Sequence, residues 1–190
     1  MDTYRCFVAI DLPAELKKEL ADIQRGLAGW PAKVKWVEER NFHLTLKFLG
    51  DVTQSQVELV TEGLGKAASR HKKFTFRISG LGAFPSARNA KVIWAGIRDA
   101  DRGLTRIRSD IEAVLGELGF APEAKPFSPH LTLGRVKDLK PVPGLPDIIQ
   151  SLIIKDYPVS VQEIKLMSSK LSKSGPEYSC LRLFTLQEHF

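Results

Sequence analysis

Apolar and polar residues follow two different periods along this chain, which predicts a mixture of strands and helices. Residues 4–10 form an apolar run typical of a buried strand. Alternating segments at 33–37 and 43–48 predict two further strands. Between them, an amphipathic helix that ends at 29–31 is predicted by Pro13 near its first position and by apolar residues at helical spacing: Leu16, Leu20, Ile23 and Leu27.

Two more helices are predicted further along. Thr53 and Gln56 have the spacing of a capping box, in which a hydroxyl and an amide satisfy each other's free backbone N–H groups. The helix that they begin is expected to run to about Arg70. Apolar residues at helical spacing predict a third helix over about 101–118, with Gly119 as its stop signal.

The middle of the chain carries three predicted strands. Residues 73–81 and 91–97 alternate like strands on either side of a loop rich in Gly, Pro, Ser and Asn at 82–89. Residues 126–135 hold another strand.

The last third of the chain is predicted to form a loop, a short helix and a hairpin. Residues 137–146 contain three prolines and predict a loop, and 147–153 predict a short helix. Two strand-like segments, 159–171 and 178–187, suggest a closing hairpin across a turn at 172–176. Since strands and helices mix throughout and no linker divides the chain, we expect one α+β domain over residues 1–190.

The composition is that of an ordinary globular protein with a basic surface. Hydrophobic residues make up 43% and charged residues 26% of the 190 residues, which argues against a disordered chain. The formal net charge of +6 favours polyanionic partners such as nucleic acid or phosphate esters, or serves solubility alone. With no signal-peptide pattern and no apolar stretch near the ~20 residues of a membrane helix, a cytoplasmic protein is expected. We expect a monomer, because no exposed heptad or apolar stripe is left over.

The two cysteines, Cys6 and Cys180, each lie in an apolar run that reads as a strand. We expect both thiols to be reduced and buried as small hydrophobic groups, because neither has the spacing of a metal site.

The tetrapeptide His-Leu-Thr-Leu occurs twice, at 43–46 and 130–133, in a chain with only four histidines. Side chains alternate across a strand, so each histidine shares a face with the threonine two residues later, ~6.6 Å away. The leucines of each motif then point into the core. Two such strands side by side would surround one cleft with two imidazoles and two hydroxyls.

That arrangement suits the hydrolysis of a cyclic phosphodiester. One imidazole can take a proton from water while the other gives a proton to the departing oxygen, because the ordinary histidine pKa of ~6.5 allows either role. The hydroxyls of Thr45 and Thr132 can donate to the non-bridging phosphate oxygens. This chemistry requires no metal and no cofactor.

The chain resembles the RNA 2′,3′-cyclic phosphodiesterases of the two-histidine (HxTx) phosphoesterase superfamily, historically called 2′-5′ RNA ligases. The resemblance covers nearly the whole chain and rests on five segments: 5–10, 43–50, 82–85, 130–135 and 168–178.

The resemblance implies two pseudo-symmetric lobes, each an antiparallel sheet with helices on its outer face, flanking a positively charged cleft that holds both motifs. It implies His43 as proton donor to the 3′ oxygen and His130 as proton acceptor. The implied substrates are RNA ends with a 2′,3′-cyclic phosphate, with tRNA fragments as candidates. The implied product is a 2′-phosphomonoester, and the reverse reaction would join RNA ends through a 2′-5′ bond.

Residues next to the motifs are further candidates for substrate binding. Arg135 nominally alternates away from His130, yet the resemblance implies a phosphate contact. Phe84 is expected to stack on a base, whereas core packing is expected for Phe48. Lys47 is interpreted as reaching RNA or solvent from the face of His43.

The other two histidines, His71 and His189, are interpreted as surface residues. Motifs of P-loop NTPases, serine hydrolases and zinc proteases are absent from the sequence. Two alternatives stay open at this point. One is a non-catalytic module that binds RNA ends, and the other is a phosphodiesterase for a small cyclic nucleotide, such as ADP-ribose 1″,2″-cyclic phosphate, or for 2′-5′ oligoadenylate.

Overall fold

The computed structural model of the chain describes residues 3–124, 126–138, 140–152, 154–172 and 175–188. Within them lie four α-helices: α1 (Ala14–Leu27), α2 (Gln54–Ala68), α3 (Gly103–Glu117) and α4 (Leu145–Ser151). The strands are β1 (Thr3–Asp11), β2 (Val34–Trp36), β3 (His43–Thr53), β4 (Phe74–Phe84), β5 (Val92–Arg98), β6 (His130–Val136), β7 (Tyr157–Val161), β8 (Glu163–Leu171) and β9 (Pro176–Thr185).

The strands form two antiparallel sheets, one for each histidine motif. A four-stranded sheet has the order β3-β1-β8-β9 and carries the first motif on β3. A five-stranded sheet has the order β2-β6-β5-β4-β7 and carries the second motif on β6. The predicted α+β class is therefore confirmed, with one motif strand in each sheet.

The motif leucines are buried under the helices, as the alternation predicts. Leu44 and Leu46 in β3, like Leu131 and Leu133 in β6, are 1% exposed or less. Burial of each leucine side chain contributes about 1.5–3 kcal/mol to stability. Because these side chains point inward, the histidines of the same strands point to the opposite face of each sheet.

The start of α2 and the end of α3 follow the predicted signals. The backbone N–H of Gln56 donates to Thr53 Oγ1 at 3.3 Å, and that of Thr53 donates to Gln56 Oε1 at 2.8 Å, so the predicted capping box is present at α2. Gly119 adopts a φ of +87° after α3, a conformation that favours glycine.

On α1, the Gln24 side chain donates to the carbonyls of Val37 and Leu133, which ties this helix to the five-stranded sheet.

The loop predicted at 82–89 is shorter than expected, because β4 continues to Phe84. Gly82 lies directly against the indole of Trp94, and a side chain at this position would collide with the ring. Glycine here serves close packing within a strand and does not mark a turn.

The predicted strand at 159–171 is wrong as a single element. The chain forms β7, which pairs with β4, and then β8, which pairs with β1 and β9. Only Gln162 separates the two strands, which belong to different sheets. No glycine or proline marks this crossing, so the apolar pattern runs through it unbroken.

Two other elements begin at residues different from those predicted. The strand predicted at 126–135 begins only at His130, because the preceding segment is irregular. The helix predicted at 147–153 is α4, which begins at Leu145 with Pro146 in its first turn.

The cysteines differ in burial. Cys6 is buried as expected, and burial raises the pKa of its thiol to about 11. The expectation for Cys180 is wrong, because it lies on the edge strand β9 with its side chain exposed.

His71 is also not the solvated residue that its basic neighbours suggested. Its side chain is 13% exposed, and its Nε2 lies 2.8 Å from the Asp110 carboxylate of α3. His189 lies outside the described residues. Of the helices that the structure describes, none has the length and apolarity needed to cross a membrane.

Candidate active site

The strands that carry the two histidine motifs contact each other, although they belong to different sheets. His43 is the first residue of β3 and His130 the first residue of β6, and these two strands contact each other. In both motifs the histidine and the threonine lie on the face opposite the buried leucines. The fold thus places the four residues that the repeated motif singles out on two strands that are in contact.

Both imidazoles are fixed by the same hydrogen bond. His43 Nδ1 lies 2.8 Å from the carbonyl oxygen of Asn41, and His130 Nδ1 lies 2.7 Å from that of Ser128. A carbonyl oxygen only accepts, so Nδ1 must carry the proton in each ring. Nε2 is therefore the nitrogen available for proton transfer on both histidines.

In the first motif the threonine is bonded to its histidine. Thr45 Oγ1 lies 3.1 Å from His43 Nε2. A neutral His43 accepts the hydroxyl proton there, whereas a protonated His43 cannot accept it. Protonation of this ring therefore frees the Thr45 hydroxyl to donate to another acceptor, such as a phosphate oxygen.

Each motif strand contains a β-bulge at the second leucine of its motif. In the β1–β3 ladder Val8 faces Lys47 and Ala9 faces Thr45, which leaves Leu46 without a partner. The β5–β6 ladder leaves Leu133 unpaired in the same way. An extra residue reverses the alternation beyond it.

The first bulge overturns the expectations for Lys47 and Phe48. Lys47 is completely buried on the helix side, where its Nζ lies 2.6 Å from the carboxylate of Glu112. Phe48 is 64% exposed, with its ring centroid 6.2 Å from that of Phe7. Strict alternation assigned the two residues to the wrong faces.

The second bulge returns Arg135 to the face of His130. Arg135 is exposed and lies opposite Val92 in the ladder, and its positive charge acts on Tyr178 of the other sheet. Burial raises the pKa of the Tyr178 hydroxyl, and Arg135 offsets part of that rise. Arg135 therefore faces the space between the sheets.

Aromatic rings surround both histidines. Around His43 lie Phe7, at 4.8 Å between ring centroids, and Tyr178, which meets the imidazole edge-on at 5.2 Å. Sequence reasoning did not assign a role to either residue.

The ring of Phe84 meets His130 edge-on at 5.1 Å, and Trp94 lies 6.5 Å away. Phe84 thus lies beside the second histidine, and its expected stacking on a base stays a prediction. Trp94 was missed, although it alternates with the buried residues Ile93 and Ala95 and could have been recognised by that pattern.

A cavity adjoins each histidine. One of about 390 Å³ includes His43, Asp11 and Lys165 in its lining. The other, of about 480 Å³, includes His130, Phe84 and Trp94. Each is large enough for part of a nucleotide.

The surroundings of His43 lower its pKa. Burial lowers the pKa of His43, and the nearby charge of Lys17 lowers it further. The hydrogen bond to Asn41 and the charge of Asp11 act in the opposite direction without restoring the ordinary value. His43 is therefore disposed to be neutral in the free protein.

Asp11 is itself held by two lysines in the first cavity. Lys17 and Lys165 approach its carboxylate at 2.7 and 2.9 Å. Burial raises the pKa of Asp11, but the hydrogen bonds from both lysines outweigh this effect and lower it. Among the residues that can be described, no group of three or more His, Cys, Asp and Glu side chains could hold a metal ion.

Comparison with known proteins agrees with this geometry. The sequence matches the family described as LigT like Phosphoesterase over residues 10–94 and 97–178. It is 35% identical over 163 residues to the RNA 2′,3′-cyclic phosphodiesterase of Aeropyrum pernix. The aligned region covers 85% of this chain and 92% of that protein.

Two solved structures have the same fold over nearly their full length. The protein TT0787 of Thermus thermophilus has a TM-score of 0.82 and 27% identity, covering 98% of this chain and 100% of that one. LigT of E. coli, complexed with 3′-AMP, has a TM-score of 0.78 and 26% identity. The match covers 97% of this chain and 99% of LigT. The chain therefore belongs to the LigT-like phosphoesterase family.

Proposed function

We propose that this protein is an RNA 2′,3′-cyclic phosphodiesterase that converts the cyclic phosphate at an RNA end into a 2′-phosphomonoester. The observation that carries the proposal is the matched pair of histidines. Each has Nδ1 bonded to the carbonyl two residues earlier, and each leaves Nε2 for proton transfer. Two such groups on contacting strands are what an acid–base pair requires.

In the proposed reaction a water molecule attacks phosphorus and the 3′ oxygen leaves. His130 acts as proton acceptor and takes a proton from the attacking water. His43 acts as proton donor and protonates the 3′ oxygen as its bond to phosphorus breaks. The attacking and leaving oxygens lie on opposite sides of phosphorus, so the acid and the base must approach from opposite sides, which two histidines on different strands can do.

The state of His43 is coupled to the substrate in this proposal. Burial lowers its pKa in the free protein, whereas a bound phosphate anion raises the pKa of an adjacent imidazole. Binding therefore charges the acid when it is needed. The same protonation frees the Thr45 hydroxyl, which now bonds Nε2, to donate to a phosphate oxygen.

Three further residues complete the proposed site. Thr132 donates to a non-bridging oxygen from the second motif, and Arg135 supplies a guanidinium for the same anion. Phe84 offers an aromatic ring beside His130 for a ribose or base. The net charge of +6 favours an RNA substrate over a neutral one.

The relatives support this assignment. Those from Aeropyrum pernix and Thermotoga maritima bear the name RNA 2′,3′-cyclic phosphodiesterase. LigT of E. coli was crystallised with 3′-AMP, a nucleoside monophosphate. If the 5′ hydroxyl of a second RNA takes the place of the attacking water, the same base and acid join the two ends through a 2′-5′ bond as the bond from phosphorus to the 3′ oxygen breaks.

We further propose that residues 1–190 act as one two-lobed domain and as a monomer. The path of the chain supports a single domain, because β1 and β3 precede the five-stranded sheet's central strands while β8 and β9 follow them.

The test is incubation with a short RNA that ends in a 2′,3′-cyclic phosphate, with EDTA present, followed by identification of the product isomer. The proposal expects a 2′-phosphate and a rate that is independent of chelator. Binding without turnover would favour a non-catalytic module. Turnover of small cyclic nucleotides in preference to RNA would indicate the other alternative, and loss of activity with rescue by one divalent ion would refute the mechanism.

A further inference from the structure

The buried cation of Lys47 has no place in the proposed reaction, although it follows the first motif directly. Its side chain is 0% exposed, and Nζ donates to Glu112 Oε2 at 2.6 Å and to the carbonyl of Ala121 at 2.9 Å. A buried ammonium is stable only when such partners are held in place. Lys47 therefore fixes α3 and the segment after it relative to β3.

Lys47 and Glu112 form a cluster with Arg108, Glu123 and Phe127, called the Lys47 cluster here. Its further contacts also involve the segment after α3. Arg108 donates to Glu112 at 2.9 Å and lies 3.6 Å from the carboxylate of Glu123. Its guanidinium also stacks over the ring of Phe127, 4.8 Å from the centroid. The N–H of Phe48, next to Lys47, donates to Glu123 at 3.4 Å.

The segment that these contacts hold has no regular structure of its own. Between the end of α3 and the start of β6, the residues that the structure describes form neither helix nor strand. This segment includes Ser128, whose carbonyl oxygen fixes Nδ1 of His130. An irregular segment can hold that carbonyl in place only through tertiary contacts, and the Lys47 cluster supplies them at Ala121, Glu123 and Phe127.

We propose that Lys47 is a positioning residue for His130, the proposed base, and acts through Glu112, Arg108 and the described residues at 120–124 and 126–129. This inference rests on the proposed function. It makes Lys47, which lies on the strand of His43, control the orientation of the histidine in the other sheet. The two motifs are then joined through the protein interior as well as across the cleft.

The experiment compares Lys47→Met with Lys66→Met, a control that removes the same charge from an exposed ion pair with Glu62 on α2. Nitrogen-15 NMR of the imidazoles reads the position of the proton on each ring in the substrate-free protein. We expect Lys47→Met to lose the fixed Nδ1–H state of His130 while His43 keeps its own. We also expect kcat to fall about 10- to 100-fold with KM little changed, as misplacement of a catalytic group does.

A second variant covers the case in which Lys47→Met does not fold. Glu123→Ala removes a partly exposed carboxylate from the same cluster and should change the His130 signals in the same sense. Unchanged His130 signals in Glu123→Ala, or in a folded Lys47→Met, would overturn the proposal, as would a change confined to His43. The NMR readout needs no substrate, so failure of the inference is distinguishable from failure of the proposed function, which turnover by the unaltered protein tests.

Discussion

Leu46 and Leu133 occupy equivalent places in the two motif strands, each as the unpaired residue of a bulge three positions after a histidine. Beyond the bulge, the position that returns to the cleft side holds Phe48 in one strand and Arg135 in the other. The approximate symmetry of the motifs is therefore broken by a phenyl ring on one side and a guanidinium on the other. We therefore expect an anionic substrate to take one preferred orientation between the two similar histidines.

Replacement of Arg135 by alanine should weaken RNA binding and leave kcat less affected. The variant loses one cation from the cleft, so the slope of log affinity against log salt should fall by about 1. The measurement is KM and binding over a range of salt concentrations. Arg106→Ala, which removes an exposed arginine of α3, is the control. An unchanged salt slope in Arg135→Ala would remove this residue from the phosphate site.

Replacement of Thr45 or Thr132 by valine should lower kcat by roughly 10²-fold, the cost of losing one oxyanion donor. Thr45→Val should additionally shift the pKa of His43, because it removes a hydroxyl that bonds Nε2. Steady-state kinetics and an NMR titration of both histidines separate the two effects. Thr75→Val, an exposed strand threonine of β4, is the control, and wild-type rates in both motif variants would remove the hydroxyls from the mechanism.

The two histidines should respond differently to the leaving group. His43→Ala and His130→Ala should each remove most activity while RNA binding persists. A substrate with a better leaving group at the 3′ position needs less protonation, so it should partly rescue His43→Ala alone. Rescue of His130→Ala instead would reverse the assigned roles, and wild-type turnover in both variants would make the paired motifs structural.

The pH dependence should reveal the acid–base pair directly. Only the singly protonated pair is productive, so kcat/KM should be bell-shaped. In the free protein the pKa of His43 should lie below the ordinary ~6.5, because burial disfavours the imidazolium. Inorganic phosphate should raise it, since an anion stabilises the charged ring. NMR titration with and without phosphate measures both values, and a phosphate-independent pKa would contradict the coupling of His43 to substrate.

The sequence predicted the motif geometry well because a strand imposes a period of two on its side chains. The faces of His43, Thr45 and the motif leucines follow from that period alone. The bulges were not predictable from it, because Leu46 and Leu133 look like any other apolar residue of a strand. The faces of Lys47 and Phe48 were therefore reversed.

Contacts between residues distant in the sequence could not be predicted either. Tyr178 packs against His43 from the far strand of the sheet, and nothing near it in the sequence signals that position. Likewise, the change of sheet at Gln162 depends on which partners β7 and β8 find, and not on a local breaker.

The central position of β1 has a consequence for how the protein is made. β1 lies between β3 and β8, with Arg5 opposite Ser169, so one of its neighbours is translated long after it. Such pairings raise the contact order and slow folding, because a long loop must close before they form. A nascent chain halted before β8 would already carry both histidine motifs, yet the sheet that supports the first one would still be incomplete. Activity is thus expected to arise only after β8 has been made and has paired with β1.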